Sequence, residues 1–203
     1  MKKVFVMAAL AMFSFASAQK GTILVAGNIG FSTDKDEVGT SETKTNEFNF
    51  TPKVGYQFTD NWTLGLSGNV GMDKTETTTD AGLTRVTSET KDTNFAVGPF
   101  VRYSRNISEI FGFFADLDAG YQSVKSTTDP GTPFSVETEN KGNGFYAQIT
   151  PAIFINVKKN FGLNVSFGGL GFDSISYDNN GGDSTNFGFN FGRTVNIGIS
   201  KNF

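Results

Sequence analysis

The 203-residue sequence contains neither cysteine nor histidine. Without cysteine there are no disulfide staples. Without either residue, Ser–His and Cys–His nucleophile pairs and thiolate or imidazole metal sites are excluded. Proline is scarce, with 5 residues in the chain. Beyond the N-terminal region, no stretch is apolar and long enough to cross a bilayer as a helix, which takes about 20 residues. Basic clusters are also missing. The chain has 17 basic residues against 20 acidic ones and a net charge of −3, which argues against a nucleic-acid partner. Apolar residues at helical spacing are almost absent.

The first eighteen residues read as a leader. MKK supplies a positive start, VFVMAALAMFSF an apolar run and ASA a small-residue end, the pattern of a cleaved secretory signal peptide over residues 1–18. No cysteine follows the run, so a lipoprotein anchor is not expected. Loss of Lys2 and Lys3 leaves residues 19–203 more acidic still, and long enough for one domain.

What that domain has in abundance is alternation. In GTILVAGNIGF, Ile23, Val25, Ile29 and Phe31 share one face, opposite Thr22, Ala26 and Asn28. FNFTPKVGYQF sets Phe48, Phe50, Pro52, Val54, Tyr56 and Phe58 against Asn49, Thr51, Lys53 and Gln57. Six further segments begin at Trp62, Asn94, Phe111, Phe145, Phe161 and Thr194 and repeat the two-residue period of a strand with one apolar face. Each holds roughly ten residues, the number a tilted strand needs to cross a bilayer. Short links (TDN, SRNISE, KKN) alternate with links of roughly a dozen residues or more, such as MDKTETTTDAGLTRVTSETKD. The pattern predicts an all-β, eight-stranded antiparallel up-and-down transmembrane β-barrel with both termini periplasmic and four long extracellular loops.

A soluble β-sandwich or calyx shares the same period with the apolar face turned inward. Three features favour the membrane. The polar face is built of Gly, Ser, Thr, Asn and Gln, which suit a narrow lumen. Phe58, Trp62, Tyr103, Phe111, Phe161 and Phe203 flank the short links as an aromatic girdle. An even strand number puts both termini on one rim. Pro52, Pro99 and Pro151 fall on the lipid face, where a lost ladder bond or a bulge is tolerated and local register becomes uncertain.

Candidate sites are few. Asp116 and Asp118 of the DLD stretch share the lumen parity with Lys53 and Arg102, so a lumen charge network of these four residues is expected in place of a carboxylate active site. Phe114, Phe154 and Tyr146 also take lumen parity. DNNGGD at 178–183 lacks the spaced ligands of a calcium loop and reads as a turn. GGLG at 168–171 is followed by no helix or lysine and reads as a strand bend, so no cofactor or metal is expected. Parity counted from Phe203 points Arg193 to lipid near the outer interface, where it could contact lipopolysaccharide phosphates. A local bulge would turn it into the lumen instead.

The leader, the eight alternating segments, the Ser/Thr-rich links and the terminal phenylalanine together resemble the small outer-membrane β-barrel family of OmpX, OmpW and OmpA-barrel types. VGYQFTDNWTLGL and VGPFVRYSRNI look most like the short barrels of the Bacteroidetes. The resemblance spans residues 20–203. It implies a cell outer membrane location and a C-terminal assembly signal in Val195, Ile197, Ile199 and Phe203. It further implies contact with outer-membrane lipid and lipopolysaccharide, and with periplasmic chaperones and the assembly machinery. The barrel enzymes of that membrane depend on His, which this chain lacks, so no enzyme is expected. The leading expectation is a monomeric, non-enzymatic barrel whose surface loops serve interaction, adhesion or envelope integrity. The alternatives are a narrow channel for small or apolar solutes and a soluble secreted β-protein.

Overall fold

The computed structural model describes residues 21–80, 82, 84–132, 134–158, 161–178 and 182–203, with backbone alone at 158, 190 and 192–195. The leader lies outside these residues. Eight strands follow in order: β1 Thr22–Val38, β2 Ser41–Gln57, β3 Trp62–Asp80, β4 Arg85–Asn106, β5 Phe111–Asp129, β6 Thr138–Lys158, β7 Phe161–Tyr177 and β8 Asp183–Asn202. Every neighbour pairs antiparallel, and the sheet closes on itself in chain order.

The side chains sort by parity, with polar and small groups inward. Thr22, Thr63, Ser67, Arg102, Asp116, Asp118, Asn164 and Ser166 are buried. Outward, Leu64, Leu66, Phe95, Leu117, Ile149 and Ile199 are all exposed. An apolar belt of this extent would aggregate in water and is satisfied only by lipid, so the soluble alternative is excluded.

The strands are much longer than the periodicity suggested, at 17 residues in β1 and 22 in β4. The polar links read as loops are therefore mostly barrel wall. Threonine explains this, because its β-branch favours extended backbone and its hydroxyl pairs across strands. Thr43 meets Thr77 and Thr45 meets Thr75 at 3.4 Å, and Thr78 meets Thr87 at 3.0 Å. The turns at this end range from two residues between β1 and β2 to eight between β5 and β6. Val38 pairs with Ser41 across Gly39, whose φ of 62° lies in the left-handed region that glycine occupies at no steric cost. At the opposite rim, side chains hold the turns. The Thr59 hydroxyl accepts from the Trp62 amide at 3.0 Å, and Ser108 accepts from those of Ile110 and Phe111 at 3.2 Å.

The three prolines behave alike. Pro52 pairs with Gly27, Pro99 with Leu66 and Pro151 with Ala115, while pairing is interrupted on the other side, toward the next strand. The missing N–H breaks the ladder on that side alone. Register is kept past Pro52 and Pro99 and shifts between Ile149 and Ala152, around Pro151. A second irregularity lies between Ser166 and Gly168, where Gly168 has φ 95°. It falls where the GGLG stretch reads as a bend, and it inverts parity on β7, so that Leu170 and Phe172 face outward.

β8 closes the barrel on β1, as the alternation of the last ten residues predicts. The seam is short, running from Leu24 opposite Asn202 to Asn28 opposite Gly198, with two further backbone bonds between Ile23 and Phe203. Among the described residues, no β1–β8 pairing continues above Asn28.

Candidate functional site: a charged plug across the lumen

Arg102 on β4 and Asp116 on β5 stand directly opposite in register, as do Phe100 and Asp118. Arg102 grips Asp116 in a two-pronged pair, Nε to Oδ1 at 2.6 Å and Nη2 to Oδ2 at 2.8 Å. Lys53 comes from β2 across the lumen. Its Nζ donates to Asp116 Oδ2 at 2.7 Å and to both Asp118 oxygens at 3.0 and 2.9 Å. The two cations and two carboxylates balance, and both aspartates are 2% exposed. Buried charges persist only when paired and hydrogen-bonded in this way.

Two aromatic rings that parity alone does not assign a role complete the plug. The Arg102 guanidinium carbon lies 3.8 Å from the Phe114 ring centroid, and Lys53 Nζ lies 5.2 Å from that of Phe100. Phe100, 1% exposed, occupies space left by two glycines. A Cβ on Gly65 would come within 2.7 Å of its ring, and one on Gly55 within 3.0 Å. Leu24 is likewise buried inward. The signal that could have found Phe100 is the coincidence of glycines at lumen parity on β2 and β3 with an inward aromatic on β4.

The plug divides the interior. A cavity of about 780 Å³ on the outer side and one of about 850 Å³ on the periplasmic side both contact Arg102 and Phe114. Thr51 Oγ1 and Asn69 Oδ1 line the outer cavity without a partner among the described residues, as does Asn202 Oδ1 on the periplasmic side, which marks both spaces as polar enough for water. Tyr146 lines a side chamber of about 350 Å³ next to Asp118, and Phe154 lines the periplasmic cavity. Past the apolar belt, Glu47, Asp73 and Asp92 stand side by side across β2, β3 and β4. Burial first, and then these two neighbours, push the Asp73 carboxyl above its ordinary range. No cluster of His, Cys, Asp or Glu among the described residues is arranged to hold a metal.

Phe58, Trp62, Phe111 and Phe161 lie exposed at the short-turn rim. Tyr103 is half-buried against Trp62, edge to face at 5.0 Å. Phe203 differs from the expected outward girdle position. It is 4% exposed, and Lys201 Nζ sits 4.4 Å from its ring centroid, so cation and ring cover each other. Ile197 and Ile199 face outward, whereas the side chains of Val195 and Arg193 lie outside the described residues. A second, outer girdle went unread in the sequence: Phe31 stands opposite Phe48, Tyr121 opposite Phe145 and Phe172 opposite Phe187.

A closed, antiparallel, eight-stranded wall with an apolar exterior and a polar, charged lumen defines a transmembrane β-barrel of the outer membrane. The chain belongs to the outer membrane protein beta-barrel domain family, whose pattern it matches over residues 4–194. No match is found among curated proteins. Among solved structures it is similar to the outer membrane protein OprG from Pseudomonas aeruginosa, at 12% identity and TM-score 0.46, covering 92% of this chain and 98% of that one. It is also similar to Ail, the attachment invasion locus protein of Yersinia pestis, at 14% identity and TM-score 0.38, covering 91% and 99%. The outer membrane protease OmpT from Escherichia coli follows at 14% identity and TM-score 0.43, covering 90% and 79%.

Proposed function

We propose that the protein is a non-enzymatic, non-conducting barrel that serves as a rigid mount for its surface hairpins, acting in surface interaction, adhesion or envelope integrity. The observation that carries this reading is the Arg102–Asp116–Lys53–Asp118 network lying across the lumen. An eight-stranded barrel is narrow, and here a bridging lysine spans the waist between the two cavities. The Ser/Thr hairpins, held as sheet beyond the apolar belt, offer a fixed surface in place of mobile loops. In biogenesis the chain is expected to engage periplasmic chaperones and the assembly machinery through its last strand, and then to stand in lipid as a monomer. Liposome swelling tests the reading: vesicles containing the refolded protein should admit small sugars no faster than empty ones. Rapid entry would contradict it.

One observation favours a second reading, passage of a small apolar solute. Among the described residues β1 and β8 show no pairing beyond Asn28, and the outer cavity reaches Ile29, Phe31, Phe187 and Ile197 on both sides of that stretch. A solute entering from outside could leave sideways into lipid without crossing the plug. A disulfide tying β1 to β8 above the seam would abolish uptake on this reading and leave the first untouched.

A further inference from the structure

The periplasmic cavity beneath the plug opens at the short-turn rim, where Asp60 and Asn61 of the β2/β3 turn and Asn106 at the end of β4 line its mouth. Its walls carry five asparagines from separate parts of the sheet: Asn61, Asn106, Asn156, Asn164 and Asn202.

The rim fixes how three of these amides face. Asn61 Nδ2 donates to the Ser104 carbonyl at 2.8 Å and ties the β2/β3 turn to β4. Asn156 Nδ2 donates to the Glu109 carbonyl at 3.3 Å and ties the β4/β5 turn to β6. A carbonyl only accepts, so both nitrogens are engaged and both side-chain oxygens are left as acceptors. Asn164, 6% exposed, is the reverse: its Oδ1 accepts from the Ser200 hydroxyl at 3.1 Å, which leaves its Nδ2 as a donor. Asn202 Oδ1 is buried without a partner among the described residues, and the Asn106 side chain makes no hydrogen bond among them. A buried oxygen without a donor costs stability, and the barrel's own bonding uses none of these atoms.

Charge and shape narrow the ligand. Arg102 at the roof is neutralised by Asp116, and the other two charged side chains of the lining, Asp60 and Arg105, are opposite in sign. The space therefore holds no net charge to select an ion. Phe114 and Phe154 add an apolar patch beside the amides, with ring centroids 6.4 Å apart. Phe154 rests against Gly112, where a Cβ would come within 2.5 Å of the ring, so the ring is held to the wall. Oriented amides around a fixed aromatic surface match a pyranose, whose hydroxyls both donate and accept while its C–H face is apolar. The volume also falls in the range of roughly 300–1,000 Å³ typical of small-molecule sites.

We propose that the periplasmic cavity is a binding site for a neutral saccharide, a mono- or disaccharide entering from the periplasm. The Asn61, Asn156 and Asn202 oxygens accept from its hydroxyls, Asn164 Nδ2 donates to one, and Phe154 with Phe114 takes its C–H face. Peptide backbone fits less well, because its carbonyls cannot donate to these acceptors. The inference rests on the plug as the roof of the cavity and on no role of the surface hairpins, and binding from below requires no passage past Lys53.

The test uses the full mature protein refolded in phosphocholine micelles, which carry no sugar headgroup. Side-chain amide shifts are followed by NMR as cellobiose or chitobiose is added. The Asn106, Asn156, Asn164 and Asn202 resonances should move along saturable curves in the millimolar range, while those of Asn49 and Asn69 in the outer cavity stay in place. Sorbitol, an open-chain polyol, and trialanine should move none of them. An Asn106→Leu, Asn202→Leu variant leaves the hydrogen bonds of Asn61, Asn156 and Asn164 intact. Its affinity for the same sugars should fall roughly fivefold for each amide removed. Shifts that do not saturate, equal movement of the outer-cavity amides, equal shifts from sorbitol or trialanine, or undiminished binding by the variant would each overturn the proposal. Should the variant fail to refold, seen as a missing electrophoretic heat shift, the comparison of sugars with sorbitol and trialanine on the wild type still decides. Swelling assays on the same preparations report separately on the sealed lumen.

Discussion

Replacing Lys53 with methionine isolates the energetics of the plug. Asp116 would keep its two bonds from Arg102, whereas Asp118 would lose both of its bonds from Lys53 while staying 2% exposed. Removing one partner of a buried pair costs about 3–5 kcal/mol, because a charge is left behind without compensation. Water in the adjoining cavities pulls the expectation to the lower end, about 3 kcal/mol. Adding Asp118→Asn removes the stranded charge and leaves Arg102 and Asp116 as a balanced pair, so the double variant should recover to within about 1–2 kcal/mol of wild type. Asp118→Asn alone should cost less than Lys53→Met, since Lys53 retains Asp116. Urea unfolding in phospholipid vesicles, followed through the single tryptophan at Trp62, measures all four corners of the cycle. If the two single effects simply add, Lys53 and Asp118 are not coupled, and the description of the plug as one network is refuted.

Gly65→Ala should destabilise the barrel by about 1–3 kcal/mol, since its Cβ would press on the Phe100 ring and on the β2 backbone; a neutral outcome in the same unfolding assay would contradict the packing described. The Glu139 carboxyl, held by the Lys125 and Lys141 ammonium groups beside it, is lowered to about 2. Because its folded value is depressed, its contribution is present above the ordinary carboxylate range and is lost only as pH falls toward about 2. Carbon-detected titration should find that low midpoint in wild type and an ordinary one in the Lys125→Gln, Lys141→Gln variant; an ordinary midpoint in wild type would refute the pairing. Amides of Thr75, Thr77 and Thr79, read as loop from the sequence but lying within β3, should exchange slowly, and exchange at unstructured rates would return them to loop.

Much of the wall was legible because lipid outside and polar groups inside impose a strict two-residue period, as in β2 from Phe48 to Phe58. The period vanishes where both faces meet water. From Asp73 to Asp80 each face of β3 is polar, so hydropathy goes flat although threonine keeps the backbone extended. That is why the hairpins read as loops. Parity alone brings Lys53, Arg102, Asp116 and Asp118 to one interior, but it cannot say that Lys53 spans from β2 to β5, because contact across a lumen leaves no trace in local spacing. Phe100 and Leu24 escaped for a related reason: an apolar residue at an inward position looks like noise in the alternation until the glycines facing it are seen.

The claim that the lumen is closed by side chains is tested most directly by planar bilayer recordings on the wild type and on a Lys53→Ser, Arg102→Ser variant. These substitutions remove the bridge and the guanidinium that borders both main cavities. The wild type should stay silent across the accessible voltage range, and the variant should show steady unitary conductance. Wild-type currents as large as those of the variant would contradict the account.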